Sequence, residues 1–481
     1  MGGSNSVRGK YLALAIVMAG VFMSVMDAVA LNIALPAITT DFQVTVADTQ
    51  WVVTSYLLAQ TCFLIVAGKV SERTGQAKMF TVGLATFTAS SLLCAISADL
   101  GQLVFFRVVQ GIAASMLFSV STSIVFRTFG VRDRGKAMGF LGSTVAVGGM
   151  LGPVIGGFLV GTMGWQSIFL INVPIGLVTT IVAMRVMRID ETLVDRLHMD
   201  YPGVALWVLS MAALMLMLGW LGQDGAVTPG MVLAFAVFAA AMFLFIRRER
   251  STPHPLMDIS VFRVRRFTLT GLSMIMFFLS MSMITILGPF YYEGVLNYEP
   301  TTVGFIFMVL PAVTMFGSPL VGRMYDSNRF RPYTTFGHLI RAAGFFLMAF
   351  GFLTINVPMT VAAFFLMGVG SCLFQTPNNS EMMLALPREK NALASSIQAT
   401  TRNLSMAMGI SVATILMTLM MGSMDYGAIA GGPLAGELAR SVAIATTIGG
   451  AISLIGAIIS RSGERRGAEE GRSSLNAPST R

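Results

Sequence analysis

The chain has 481 residues, of which 55% are hydrophobic and only 11% charged, with a mean hydropathy of +0.75 and a formal net charge of +9. Soluble proteins carry roughly 25% charged residues, so this composition excludes a soluble globular domain and indicates an integral membrane protein. Three cysteines inside apolar runs (Cys62, Cys94, Cys372) and three scattered histidines (His198, His254, His338) offer neither a disulfide framework nor metal-ligand spacing, and no cofactor or metal is expected.

A helix needs about 20 apolar residues to cross roughly 30 Å of hydrocarbon. The N-terminal MGGSNSVRGK leads into an apolar run too long for a signal-peptide core, which reads as a retained first span near 11–36. Further runs fall near 51–70, 79–98, 100–127, 136–160 and 166–187, then near 202–222, 228–246, 267–292, 301–322, 333–354, 357–385, 391–421 and 440–460, fourteen in all. The reading is an all-α membrane protein.

Along these spans a few residues stand out because ionisable groups in hydrocarbon are costly and usually functional. Asp27 lies roughly 13 Å from the far end of the first span and Arg107 roughly 10 Å from the same side on the fourth, at 1.5 Å per residue. The two match in depth, which makes Asp27 the expected proton carrier and Arg107, a permanent cation, its counter-ion until a proton or a cationic substrate competes. The alternative is a fixed buried salt bridge. In the fifth span, Gly148, Gly152 and Gly156 recur on one face, and Pro153 removes a backbone hydrogen bond. That face permits one bundle to slide or tilt against another, or else serves tight packing without motion.

The hairpin at 202–246 has few polar groups in its spans and reads as a peripheral or lid element. Glu293, after Pro289, Tyr291 and Tyr292, either lines the outer mouth or faces water. In QTPNNSE, residues 375–381, Gln375 and Asn378 are placed to line a cavity and Glu381 to pair with Arg402, while Arg341 has no evident partner and is expected to snorkel. Thirty-six methionines and 34 phenylalanines suit a pocket that repacks around varied molecules, although most suit lipid contact equally. The polar, Gly- and Ser-containing tail from Arg461 has the composition of a disordered segment.

Basic residues collect in one set of connections, from Arg8 and Lys10 through Lys69, Arg73 and Lys78 to Arg388 and Lys390. The opposite set carries Asp41, Asp48, Asp99, Asp224, Glu299, Asp425 and Glu437, with a single Arg440. The positive-inside rule then puts both termini in the cytoplasm and the chain in the cytoplasmic membrane. The positive charge belongs to loops facing anionic lipid, and no soluble basic domain exists to bind nucleic acid.

Two loops are related. GKVSERTGQAK (68–78) and GRMYDSNRFRP (322–332) align Gly68 with Gly322 and Glu72 with Asp326, each at the same end of a helix pair. The offset divides the chain into a six-helix bundle (1–188), an inserted hairpin and linker (189–266), a second six-helix bundle (267–460) and the tail (461–481). Repeats with a central site are the architecture of transporters that rock one half against the other. Glu72 or Asp326, opposite basic residues such as Arg73, can then latch the inner face.

GGMLGPVIGG, residues 148–157 including Gly157, resembles the antiporter motif of the major facilitator superfamily. MDAVALNIALP (26–36) resembles the first-span motif of its fourteen-helix drug and proton antiporter branch, GKVSERTGQAK the superfamily loop motif, and RVVQGIAA (107–114) the fourth-span motif with its arginine. WQSIFLINVPIG (165–176) and the stretch from Tyr291 to Pro311 also look like that branch. Glu72 stands where the family usually has aspartate, and Glu293 near a position where relatives commonly carry glutamine.

The resemblance implies two pseudo-symmetric bundles plus an inserted hairpin. It also implies a monomeric, non-enzymatic, proton-coupled antiporter that exports amphiphilic or cationic drugs by alternating access. Export of a lipid or a specific metabolite is the alternative within the family. A membrane enzyme is disfavoured by the absence of His pairs, Cys clusters, a nucleotide loop or a nucleophile constellation. A static channel fits the repeated bundles and glycine face less well.

Overall fold

A computed structural model of the chain describes residues 7–129, 134–187, 200–224, 228–252, 257–327, 332–387, 391–421 and 435–476. Among them there is no strand. The first half comprises α1 (Val7–Phe42), α2 (Val46–Thr74), α3 (Gln76–Ala95), α4 (Leu100–Thr128), α5 (Arg134–Met163) and a broken sixth span, α6 (Gln166–Leu170) with α7 (Asn172–Val186). The hairpin is α8 (Tyr201–Asp224) and α9 (Pro229–Ser251). The second half is α10 (Arg265–Gly294), α11 (Pro300–Ser327), α12 (Tyr333–Leu353), α13 (Val357–Leu384), α14 (Asn391–Met421) and α15 (Ala435–Asn476). Thirteen spans among the described residues are long and apolar enough to cross a membrane, and α8 supplies the fourteenth.

Hydrocarbon offers no hydrogen bonds to a bare backbone, so every span is helical; what each end needs is a cap. Four helices that start at the acidic end are capped there by side chains. Thr45 and Asp48 form a reciprocal box ahead of α2, and Asp99 accepts from the Gln102 N–H at 2.9 Å ahead of α4. Thr228 does the same for α9, and Asn356 for α13 at 3.1 Å. Part of the acidity of this end is therefore capping chemistry. At the other end Arg73, Arg248 and Arg250 suit the C-termini of α2 and α9, but Arg265 and Arg266 open α10, where the helix dipole opposes them. Arg266 is offset there by an ion pair with Glu381 of α13.

The two halves repeat one packing scheme. In the first, α1 packs on α5 and α7, α2 on α4, and α3 on α4 and α7; in the second, α10 packs on α14 and α15, α11 on α13, and α12 on α13 and α15. Between halves, α2 meets α14 and α5 meets α11, so the second helix of each half contacts the fifth of the other. A two-fold axis along the membrane normal produces this exchange. The hairpin lies against one of these seams, with α8 packed on both α2 and α14. It thus touches both halves.

Two expectations need revision. The glycine face of α5 does not lie between the bundles. A Cβ on Gly152 would come within 3.0 Å of the Val29 Cβ, and one on Gly156 within 2.8 Å of the Ala30 Cα, both on α1 of the same half. The seam falls one residue further round. A Cβ on Gly157 would stand 2.4 Å from the Pro300 carbonyl oxygen, and one on Gly304 would stand 2.2 Å from that of Pro153. Consecutive residues point about 100° apart on a helix of 3.6 residues per turn, so the adjacent pair Gly156 and Gly157 serves two neighbours. The second revision concerns the tail, which continues α15 as helix to Asn476. Glu464 anchors it past Arg461 by accepting hydrogen bonds from the Thr334 N–H at 2.7 Å and the Thr334 hydroxyl at 2.6 Å.

Gly304→Ala is therefore expected to push α5 and α11 apart at the acidic end. Spin labels at Met163 and Thr302 would report this as a distance distribution moved to longer values. Gly148→Ala, whose Cβ would have Val25 at 3.2 Å and Phe22 at 3.5 Å as its nearest neighbours, both in the same half, should leave that distribution in place.

Candidate functional site

Asp27 of α1 and Arg107 of α4 meet, both with 0% of the side chain exposed, and Arg107 Nη1 donates to Asp27 Oδ2 at 2.7 Å. Depth matching of two spans thus identified a real ion pair. Taking both charges out of water is affordable only if their other lone pairs and N–H groups are met. Asp27 Oδ1 accepts from Asn172 Nδ2 at 2.8 Å and from Gln110 Nε2 at 3.3 Å. Arg107 Nη1 also donates to Gln110 Oε1 at 2.6 Å, and its Nε donates to the Val52 carbonyl at 3.0 Å. Gln110 Nε2 donates in turn to the Ser91 hydroxyl at 2.7 Å. The guanidinium lies 4.2 Å from the Tyr56 ring centroid and 5.7 Å from that of Phe169, and Tyr56 is held by its hydroxyl against Ser24 at 2.8 Å.

Local sequence puts these groups in reach. Arg107 and Gln110 are three residues apart on one helix, and so share a face. Asn172 follows the interruption between α6 and α7, where Pro174 cannot donate to the Leu170 carbonyl. At the acidic end this span is fixed by Trp165, whose indole N–H donates to Asp41 at 2.8 Å, and by the turn at Gly164, where φ of +80° requires glycine.

Every side chain in the network belongs to the first half, so in this conformer the carboxylate is sealed inside one bundle. Its three partners are all donors, an arrangement suited to the ionised form. The Oδ1 of Asn172 and the Nη2 of Arg107 are buried without hydrogen-bond partners. Reversing the Asn172 amide would turn Oδ1 toward Asp27 as an acceptor, so the site holds the means to accommodate a protonated carboxyl.

The remaining sequence candidates scatter. Glu293, near the acidic end of α10, has a buried Oε1 with no partner among the described residues. Glu381 does not pair with Arg402. It receives Arg266 Nε at 2.9 Å and the Tyr325 hydroxyl, tying α10, α11 and α13 together at the basic end. Asn378 is 2% exposed and, with Glu381, Arg266 and Glu464, lines a cavity of about 20 Å³ inside the second half. Neither residue is thus brought to Asp27, and Gln375 is half-buried on the same helix. Arg341 does not snorkel: fully buried, it donates to the Phe277 carbonyl at 3.2 Å and lies 3.7 Å from the Phe277 ring centroid. A Cβ on Gly68 would lie 3.9 Å from that of Ser119 within the first half, and Arg73 is exposed. The side chains of Glu72 and Asp326 lie outside the described residues, as do Arg388 and Lys390.

Gln110, Ser91 and Asn172 were missed as site residues. Gln110 lies three residues after the arginine in RVVQGIAA, and Asn172 within WQSIFLINVPIG, so an uncharged amide inside an apolar run was the available signal.

Comparison with known proteins agrees with this architecture. The chain is 30% identical over 409 residues to the riboflavin transporter RibZ of Clostridioides difficile (strain 630), spanning 84% of this chain and 87% of that protein. It is 28% identical over 400 residues to the multidrug export protein EmrB of Escherichia coli (strain K12), spanning 82% and 78%. Its fold is similar to that of a bacterial homolog of the human lysosomal transporter Spinster, with a TM-score of 0.69 over 96% of this chain and 98% of that one at 14% identity. Residues 17–410 match the family described as Major Facilitator Superfamily. Two exchanged halves of six spans each with a two-helix hairpin between them, a buried charged pair in the first half and a family match over most of the length lead to one assignment: the chain belongs to the Major Facilitator Superfamily, a family of non-catalytic membrane carriers.

Proposed function

We propose that this protein is a proton-coupled antiporter of the fourteen-helix drug-exporting branch, monomeric, carrying amphiphilic or cationic molecules out across the cytoplasmic membrane by alternating access. The observation that carries the reading is the Asp27–Arg107 pair, held at 2.7 Å beside an amide whose oxygen has no partner. Protonation of Asp27 releases Arg107 from its counter-charge, Asn172 reverses to accept the new O–H, and the five segments around the pair repack. Glu293, with its unpartnered buried oxygen, is the second carboxyl available for proton exchange. Glu72 and Asp326 latch the basic end, and the Gly157–Gly304 contact closes the acidic end. Likeness to a multidrug export protein supports drug-like substrates.

Two observations favour other readings. The sealing of Asp27 inside one half suits a fixed strut, a buried pair that holds helices and carries nothing. Identity to a riboflavin transporter favours export of one metabolite over many drugs.

Purified protein in proteoliposomes with an imposed pH gradient separates these. Asp27→Asn, which keeps the shape and two lone-pair positions, is expected to abolish the gradient-driven part of dye export, and Glu293→Gln to reduce it. Undiminished export by Asp27→Asn would leave the strut as the role of the pair; riboflavin movement without dye movement would leave the metabolite reading.

Arg107→Leu leaves a buried carboxylate unpaired, which costs about 3–5 kcal/mol. The purified variant should show a clearly lowered melting temperature, and an unchanged one would mean that the pair does not hold these helices together.

The basic end is read as cytoplasmic. A green fluorescent protein fused after Arg481 should fluoresce and an alkaline phosphatase fused there should be inactive, and the reverse pattern would invert the topology.

A further inference from the structure

A cavity of about 280 Å³ lies between the inserted hairpin and the second half. That is roughly twice the ~150 Å³ apolar cavity that takes up a benzene molecule. Trp207 and Met211 of α8 and Met242 and Phe245 of α9 form one wall, and α14 forms the opposite one with Leu404 and Thr400. The 3-10 turn Ile259–Arg263 closes the basic end with Phe262.

The lining is apolar and thioether-rich, yet two lining residues carry a buried donor that has no partner. They are Trp207 Nε1 and Thr400 Oγ1, on side chains 6% and 5% exposed. An indole N–H can only donate, so its complement is an oxygen acceptor. A buried donor left unmet is destabilising, which makes an acceptor in this cavity favourable. At the basic end, Arg250 lies one turn beyond the lining residue Ile246, and Arg263 is next to Phe262. Both arginines are exposed, and neither has an ion pair among the described residues, unlike Arg248, which is bound to Asp200 at 2.6 Å.

We propose that this cavity is a binding site for an acyl amphiphile. The aliphatic chain fills the methionine-lined space, the ester or carboxyl oxygen accepts from Trp207 and Thr400, and the anionic head lies beside Arg250 and Arg263. An anionic phospholipid of the adjoining leaflet and a free fatty acid share this chemistry. Because α8 packs on both α2 and α14, the occupant lies against the helix that touches both halves.

The full chain in detergent micelles, incubated with phosphatidylglycerol or palmitic acid bearing a photoactivatable group on the acyl chain, is cross-linked and mapped by mass spectrometry. Label is expected within 207–211 or 397–408. Capture of the phospholipid alone identifies the leaflet as the source, and capture of palmitic acid alone the free acid. Thr400→Val, which keeps the side-chain shape, should weaken capture about fivefold, the factor carried by one net hydrogen bond, and Trp207→Phe should do so similarly. Arg250→Gln with Arg263→Gln, both on the surface, should weaken capture of the anionic probe roughly 30-fold at about fivefold per arginine. Label spread evenly over exposed helices, or undiminished capture by the Thr400 and Trp207 variants, would overturn the proposal. The readout is binding and requires no transport, so its failure leaves the antiport reading standing, and the converse holds.

Discussion

The arrangement depends on the cost of removing two opposite charges from water. In hydrocarbon an isolated carboxylate or guanidinium is unsustainable, and even a paired one needs its remaining lone pairs and N–H groups satisfied. Asp27 and Arg107 meet that demand except at Arg107 Nη2, by drawing on α1, the backbone of α2, a serine of α3, an amide of α4 and an amide of α7. One ion pair thereby fixes how five helical segments of the first half approach one another. Apolar packing in lipid gives no comparable directionality, because lipid tails are as apolar as leucine. The polar centre supplies the register.

The second half handles its buried charge differently. Arg341 has no carboxylate within reach of its guanidinium among the described residues. It rests instead on a carbonyl, the Ser280 hydroxyl at 3.3 Å and the face of Phe277. Its helix, α12, is third in its half, whereas Arg107 is on the fourth helix of the first. The shared packing scheme therefore does not extend to shared chemistry. Among the described residues a carboxylate and a cation pair with both side chains fully buried only in the first half, while in the second half Glu381, paired with Arg266, and Glu464 fasten helix ends.

How much of this could be read from the sequence follows from which physical quantity each feature leaves there. Fourteen spans and their alternation were legible because transfer to lipid is set by local composition. Asp27 and Arg107 were legible because depth along a helix is residue count times rise. Asn172 was not, because an amide in an apolar run costs little enough to pass as a capping or packing residue. The partner of Glu381 was not either, since Arg266 lies 115 residues away and many arginines share its depth. For α5, spacing revealed a glycine face but not which neighbour it meets. That choice is made by tertiary packing, and the bundle contact went to the next residue round.

The contact at the acidic end of the α5–α11 seam is made by backbone, with the Gly157 and Gly304 positions each within van der Waals reach of an opposing peptide carbonyl and one Thr301 hydroxyl bonding the Gly157 carbonyl at 3.2 Å. Glycine has no rotamers to freeze, so bringing these surfaces together forfeits no side-chain freedom, and parting them leaves no long greasy groups bare. At these two positions the joint comes apart and reseats without freezing or freeing a side chain. The work of choosing between its two positions is left to charges and cargo elsewhere in the molecule.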